Sequence, residues 1–485
     1  MPRLADREGT PLPTREVFKP LPTHIAVALA AVAAGGYWIA FATHFGAPAI
    51  LISLPCICAL ARLPSNRKAF YGGVAAGMLT YAPPLLFFWS IFGPVAIVLW
   101  LIMGLPIGVF LLLSRLSGRR LGAVWAIWLT PVLWTGIEFF RSEIWQLKFA
   151  WLLPGQVVAF LPGVRLMAIG VYGLGFVMAL LAAMIVSQRR LLQIVGAAAS
   201  LILAVFMYVP ALPASPADAP LHVAGVQLED ADVQSTRDAL DRLAAAHPEA
   251  QILVLSEYSF PDVVPDSVRA IARKYRRYLV AGTVHWIEGG KFYDAVSVVA
   301  PDGKDVFEQD KSVPVQFMAD GLPATQRRVW NSPWGKIGIA ICYDISYARV
   351  MDDFVRQGAE GLIVPTNDPV AWGGFERRML HGRLAPIRAA EYGIPVFGVW
   401  SSGVSQLTDR FGRVIATAGY PGQRAMIAGP FDLHGPGRIP PDRMLAYAAM
   451  IGTGLLILYL IGCRFRDFRN RRPGAVPTNS LSRGW

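Results

Sequence analysis

Before residue 212 the chain runs through seven apolar stretches, and its basic residues gather in alternate gaps between them. The stretches are 24–43, 48–63, 71–92, 95–116, 123–140, 164–187 and 192–211. Most approach the roughly 20 residues that an α-helix needs to cross a hydrocarbon core. The second is short and predicts a local mismatch with the bilayer. Arg62, Arg67 and Lys68 follow the second stretch, Arg115, Arg119 and Arg120 the fourth, and Arg189 and Arg190 the sixth. The gaps 42–47 and 90–94 carry no Lys or Arg, and the gap after the fifth, with Arg141 and Lys148, is a partial exception. The positive-inside rule then places the N-terminal tail, 1–20, in the cytoplasm. Seven crossings put the residues after 211 on the outer side. Ala28–Gly35 resembles the end of a signal peptide, but apolar sequence continues through Phe41, which predicts an uncleaved span.

The net charge of +12 does not point to nucleic acid, because the basic residues lie in these loops and no aromatic platform is interleaved with them. Charged residues make up only 16% of the chain. Soluble domains carry roughly 25%.

The residues 212–220 read as a Pro/Ala linker. From 221 to 433 the character changes: strand-length apolar runs such as HVAGVQL, QILVLSE and GKIGIAICYD alternate with helix-like stretches near 233–246 and 266–277. That alternation predicts an α/β domain. An eighth span at 443–463 precedes a basic tail, 464–485, which returns to the cytoplasm.

Three of the runs lead to groups that suit one chemistry. Ile337–Ile341 leads into Cys342, QILVLSE ends in Glu257, and VFEQDK ends in Lys311. A thiol needs a base or a cation to act as a nucleophile. Glu257 suits the general base, Lys311 suits stabilisation of a thiolate and an oxyanion, and the N–H of Tyr343 suits a second oxyanion donor. Each alone also has an ordinary structural reading: a buried Cys, a solvated Glu, and a charged turn of Glu308, Asp310 and Lys311. Of the four cysteines, Cys56, Cys58 and Cys463 lie in or beside apolar spans, so Cys342 has no disulfide partner in its domain. No C-x-x-C pair or His cluster calls for a metal, and no cofactor is expected.

These residues carry a resemblance. LSEYSFP, DKSVP and ICYD, with TND (Thr366–Asp368), RAAEYGIP and DRFGRV, resemble the nitrilase (carbon–nitrogen hydrolase) superfamily, whose Glu–Lys–Cys triad stands in this order. PVLWTGIEFFR and FAWLLPGQ are similar to a span and loop of bacterial apolipoprotein N-acyltransferases, as is the plan of eight spans with a catalytic domain before the last. The resemblance implies an α-helical transmembrane bundle of eight spans, 21–211 and 443–463, plus a nitrilase-like αββα sandwich over 221–433. It implies a bacterial inner-membrane enzyme, with the catalytic domain periplasmic, that works as a monomer. Cys342 would take an acyl chain from a phospholipid as a thioester and pass it to the α-amine of a diacylglyceryl-cysteine on a lipoprotein.

One departure stands out. Where the family carries Pro-Phe-Gly-Glu after the lysine, this chain reads SVPVQFMADG, so Gln316 and Phe317 replace the Gly-Glu pair and the supporting carboxylate is missing. Gln316 is a candidate supporting residue, Asp320 a possible substitute, and Asp344 keeps a charge where the family has Glu. Trp151, Trp372 and Phe375 are candidates for touching lipid, the last two in a loop with Gly373 and Gly374; belt and plain loop aromatics are the alternatives. Glu138 and Arg141 suit a functional pair or a helix end. His381 and Arg388 read as structural unless they lie near Cys342. Two rival functions stay open: a membrane-tethered amidase that resolves the thioester with water, and a non-catalytic scaffold on the same fold.

Overall fold

The structure, a computed structural model, describes residues 20–43, 45–210, 221–419, 422 and 424–470. The expected N-terminal tail up to 19, the linker 212–220 and the tail beyond 470 lie outside the described residues. Among the described residues, four helices are long and apolar enough to cross a membrane: Thr23–Ala42, Val95–Leu121, Ala123–Ile144 (the α-helix Ala123–Phe139 and the π-helical turn that continues it) and Asp442–Phe468.

The other expected spans take different forms. The second is the short run Ala47–Arg62. The third is broken into Asn66–Tyr81 and Phe87–Phe92, across Pro83 and Pro84, which lack N–H donors. The sixth is not one helix: a 3-10 segment, Pro162–Ile169, meets the helix Val171–Ile185 at 95°. The bend is satisfied from outside. Glu391 accepts from Val171 N at 2.8 Å, and Asp442 accepts from Tyr172 N at 2.8 Å and Gly173 N at 3.1 Å. Two distant carboxylates thus serve helix N–H groups that otherwise lack partners. The seventh is the 17-residue helix Arg190–Phe206. It leaves Leu191 72% and Leu201 68% exposed, as the last helix does Leu458 at 66%. Such apolar outer faces suit lipid rather than water.

The basic clusters meet at one end of the bundle. Arg115 donates to Pro64 O at 2.8 Å, Arg120 pairs with Asp467, and Arg62 and Arg189 line one pocket. The α/β part sits at the other end.

That part has two six-stranded sheets. The strands are β1 Leu221–Val226, β2 Ile252–Val254, β3 Tyr278–Ile287, β4 Lys291–Val299, β5 Asp305–Asp310, β6 Val329–Ser332, β7 Gly335–Ile339, β8 Gly361–Thr366, β9 Val396–Trp400, β10 Gln406–Thr408, β11 Val414–Thr417 and β12 Met426–Phe431. The orders are β12-β1-β2-β3-β4-β5 and β11-β10-β9-β8-β7-β6. Strand periodicity decides the layering. Ala224, Val226, Leu253 and Leu279 pack under the helices Val233–Ala246 and Asp266–Tyr275. The alternate residues Val223, Ile252, Val254 and Val280 join the larger core with the second sheet. Gly225 lies against Val399 and Phe397 across the gap between the sheets. The helices Ala348–Arg356 and Leu384–Tyr392 cover the far side, Phe354 of the former meeting Gly338 of β7. The helix Val233–Ala246 shows why such elements form. Asp232 caps it at Ser235 N, 2.6 Å, and Thr236, Ala239, Leu240, Leu243 and Ala244 make one buried stripe.

Candidate active site

Strands of both sheets deliver the three candidate groups, β2 and β5 from one sheet and β7 from the other, but none is the last residue of its strand. Glu257 stands three residues past β2, Lys311 directly follows β5, and Cys342 stands three residues past β7, at the start of the 3-10 turn Cys342–Ser346. The extra residues let Glu257 and Cys342 turn into the gap between the sheets. The backbone is bent hard to do so. Of the seven non-Gly residues with positive φ among the described residues, Leu152, Tyr258, Phe317 and Cys342 (φ +49°) adjoin or form this site. Conformations of this kind cost about 1–3 kcal/mol each and persist where packing over-determines them.

Glu257 Oε1 lies 2.6 Å from Lys311 Nζ, and its Oε2 accepts from Asn367 N at 2.6 Å. Burial raises the carboxyl, but Lys311, Asp294 and the Asn367 N–H outweigh it and hold Glu257 below its ordinary range. Lys311 is pulled down by burial, yet the surrounding carboxylates, Glu257 first, keep its ammonium well above its ordinary value. Burial and the charge of Glu257 push the Cys342 thiol well up, so it is protonated at rest. Its Sγ lies 3.9 Å from Asn367 O.

Two further carboxylates reach the ammonium. Asp320 Oδ2 lies 2.7 Å and Asp294 Oδ2 3.1 Å from Lys311 Nζ. Asp320 also accepts from Tyr258 Oη at 2.9 Å and from Val315 N at 2.6 Å. Asp294, in β4, is not among the residues that the sequence singles out. Its signal there is an acid inside an apolar strand run, an expensive placement without a partner. Three carboxylates could hold a cation, but Lys311 Nζ already fills the place between them. Gln316 is corrected by the geometry: its amide pairs with the backbone of Lys148, donating to O at 3.2 Å and accepting from N at 3.3 Å, toward the membrane half and away from Lys311. Phe317 is 67% exposed, its ring 6.3 Å from that of Phe92. Asp344 is fully buried and accepts from Val313 N at 2.7 Å, Ser312 N at 3.0 Å and Ile341 N at 3.2 Å. It therefore ties the lysine loop to the approach of Cys342.

An apolar cleft connects Cys342 to the membrane half. Phe87, Phe88 and Phe92 line it from one helix, and Leu99, Ile102 and Met103 from the start of Val95–Leu121. Trp151 is not a belt aromatic: it is 6% exposed and donates to Ser346 Oγ at 2.8 Å. Tyr343 and Trp372 also line the cleft, and the Arg377 guanidinium lies 5.1 Å from the Trp372 ring centroid. Gly373 packs against Phe87, where a Cβ would come within 2.8 Å of the Phe87 Cβ, so close packing accounts for this glycine. The side chain of Phe375 lies outside the described residues. His381 lines the cleft with Cys342, its ring 5.3 Å from Trp151, whereas Arg388 donates to Ile345 O at 2.8 Å and Ser346 O at 2.5 Å and braces the turn. Glu138 and Arg141 form no ion pair with each other among the described residues; both are buried, and Arg141 reaches Trp151 O at 3.4 Å.

Comparison with known proteins gives two family matches. Residues 231–432 match the family described as carbon-nitrogen hydrolase, and residues 25–184 match the apolipoprotein N-acyltransferase N-terminal domain. The chain is 28% identical over 270 residues to the apolipoprotein N-acyltransferase of Sinorhizobium fredii, a match covering 47% of this chain and 49% of that protein. It is 29% identical over 244 residues to that of Rhizobium meliloti, covering 43% and 44%. The chain thus spans about half the length of these curated acyltransferases. It is also 26% identical over 179 residues to omega-amidase NIT2-B of Xenopus laevis, covering 34% of this chain and 64% of that one. Among solved structures, Saccharomyces cerevisiae Nit3, of the nitrilase superfamily, is similar with a TM-score of 0.39 at 21% identity, covering 45% of this chain and 93% of that one.

Proposed function

As the chain belongs to the apolipoprotein N-acyltransferase family of the nitrilase superfamily, we propose that it moves an acyl chain from a phospholipid, through a thioester on Cys342, to the α-amine of a diacylglyceryl-cysteine on a lipoprotein. The observation that carries this reading is the cleft. Most of its wall is aromatic and aliphatic, with Phe87, Phe88, Phe92, Leu99, Ile102 and Met103 from the membrane half, and it reaches Cys342 beside Arg377 and His381. A small amide needs polar positioning groups, whereas an acyl chain needs an apolar wall.

In the first half-reaction Cys342 Sγ attacks the ester carbonyl while Glu257 accepts the thiol proton. Lys311 and the N–H of Tyr343 face the oxyanion of the tetrahedral intermediate. Its collapse breaks the ester C–O bond, and Glu257 returns the proton to the departing lysophospholipid oxygen. In the second half the neutral amine attacks the thioester carbonyl. Glu257 takes a proton from the nitrogen and passes it to Sγ as the C–S bond breaks, restoring the thiol. Trp151, Trp372 and Phe375 would border the lipid, and Asp344 would hold the lysine loop. The same proposal has the protein working as a monomer.

The same proposal includes eight crossings of a bacterial inner membrane. The bundle is 21–211 with 443–463, the domain 221–433 is periplasmic, and the tails 1–20 and 464–485 are cytoplasmic. The gathering of basic clusters at the end away from Cys342 supports this orientation.

Purified protein incubated with phospholipid should gain the mass of one acyl chain, and Cys342→Ala should not. A diacylglyceryl-cysteine peptide with a free amine should discharge the adduct, while its N-blocked form should leave it. No adduct, with steady ammonia release from small amides, would favour the amidase.

A further inference from the structure

The surroundings of Lys311 contain more negative charge than one ammonium balances. Glu257, Asp294 and Asp320 converge on Nζ at 2.6, 3.1 and 2.7 Å, with side chains 1%, 0% and 10% exposed. Three carboxylates and one ammonium would leave two negative charges in a site nearly closed to water. Isolated buried charge is costly enough that one group normally neutralises instead.

The hydrogen-bond donors single out which group that is. Asp320 accepts from Tyr258 Oη and Val315 N in addition to facing Lys311. Glu257 accepts from Asn367 N and Lys311. Neither oxygen of Asp294 accepts a hydrogen bond among the described residues, and its approach to Nζ is the longest of the three. A carboxylate there would face only the ammonium it shares with Glu257 and Asp320. A carboxylic acid needs only an acceptor, and one oxygen from each of Glu257, Asp294 and Asp320 lies within 4.8 Å of the others.

Resting on the reading that Glu257 and Lys311 serve Cys342, we propose that the two flanking groups play unlike parts: Asp320 is the anion that positions the Lys311 ammonium, and Asp294 is a neutral acid that donates to Glu257. Asp320 thereby supplies from the end of the Val315–Asp320 turn the charge that Phe317 cannot. Asp294 holds Glu257 by a hydrogen bond and adds no second negative charge, so Glu257 can take the thiol proton beside an already neutral neighbour. Burial and the charge of Glu257, which push the Asp294 acid well above its usual range, agree with this assignment.

Infrared spectroscopy of the full chain at neutral pH tests the protonation directly. The carbonyl band of a protonated carboxylic acid should lose intensity in Asp294→Asn and keep it in Asp320→Asn. Equal spectra for wild type and D294N, or a loss confined to D320N, would overturn the assignment. Thioester formation from phospholipid, followed by intact mass, gives a second readout. D320N should slow it about thirtyfold, as expected for removing a charged partner of a buried ammonium, and D294N only about threefold, because an amide still donates. Asp320→Glu should recover part of the loss. Equal slowing by D294N and D320N would also overturn the assignment. If wild-type protein forms no acyl adduct, the acyltransferase reading fails, while the infrared comparison still decides the protonation of Asp294.

Discussion

Trp151 Nε1 donates to Ser346 Oγ across 2.8 Å, joining a loop of the membrane half to the turn that begins with Cys342. The bond lies beside two others of the same kind: Glu143 accepts from Ala348 N at 2.8 Å, and Tyr347 Oη donates to Lys148 O at 3.1 Å. The nucleophile's turn is therefore seated on the membrane loop and does not simply hang from its strand. Trp151→Phe keeps the ring and removes the donor. It should cost about 1 kcal/mol, read as a lower unfolding midpoint in detergent, and slow transfer only a few-fold. Trp151→Ala also removes a cleft wall and should slow transfer more than W151F does, as measured by thioester formation.

Gly282 lies beneath Glu257. A Cβ there would come within 2.5 Å of Ser256 O and Tyr258 N and 2.6 Å of Glu257 Cα. All three are backbone atoms, so they cannot swing aside. Gly282→Ala should displace Glu257 and lower the rate of thioester formation about a hundredfold, since misplacement of about 1 Å at a reacting group costs that much. The number of acyl groups that the thiol finally accepts should stay at one.

Lys311→Met leaves the buried carboxylates of Glu257 and Asp320, and the Asp294 acid beside them, without their cation. Breaking a buried pair in this way should cost about 3–5 kcal/mol. Linkage gives the sign of its pH dependence. Without the ammonium, burial and mutual repulsion raise the folded-state carboxyl pKa values above their unfolded ones. Groups raised in this way stabilise the fold below the unfolded pKa and lose that contribution as pH rises through the folded one. Thermal melting should thus show the variant to be most stable in acid, with a midpoint that falls between about pH 5 and about pH 8 while the wild type changes less.

Burial and Glu257 raise the Cys342 thiol, and Glu257 itself lies below its ordinary range. Alkylation of Cys342 by a small neutral reagent should therefore keep rising with pH beyond the usual thiol value of about 8.5. A plateau near neutrality would contradict the resting thiol. Thioester formation should hold steady through mild acid and fall only below the ordinary Glu value of about 4.3, where Glu257 takes up a proton.

Asp442 caps the bent helix Val171–Ile185 from the first turn of the last helix. Asp442→Ala should cost about 1–2 kcal/mol, as lost caps do. Limited proteolysis between Ile169 and Val171 should then become faster than in wild type.

The apolar stretches, the basic loops and the strand-length runs of 221–433 could all be read along the chain, because each expresses a local periodicity or a charge. The breaks at Pro83–Pro84 and at Gly170 were harder, since apolar composition runs straight through them. A proline is visible in sequence, but the carboxylates of Glu391 and Asp442 that make a 95° bend tolerable come from 220 and 270 residues away.

Glu257, Lys311 and Cys342 stood out by themselves because each follows an apolar or strand-like run and carries a reactive group. Their surroundings did not. Asp294 is one acid inside a β-strand, and Asp320 one acid in a loop. The register of β4 and the turn after Val315 bring both to Lys311. The sequence by itself determined the apolar stretches, the α/β domain and the three candidate groups Glu257, Lys311 and Cys342, because hydropathy and residue chemistry are properties of the chain. Only the tertiary structure decided which carboxylates share one ammonium and which apolar wall faces Cys342, because those contacts join residues far apart in sequence.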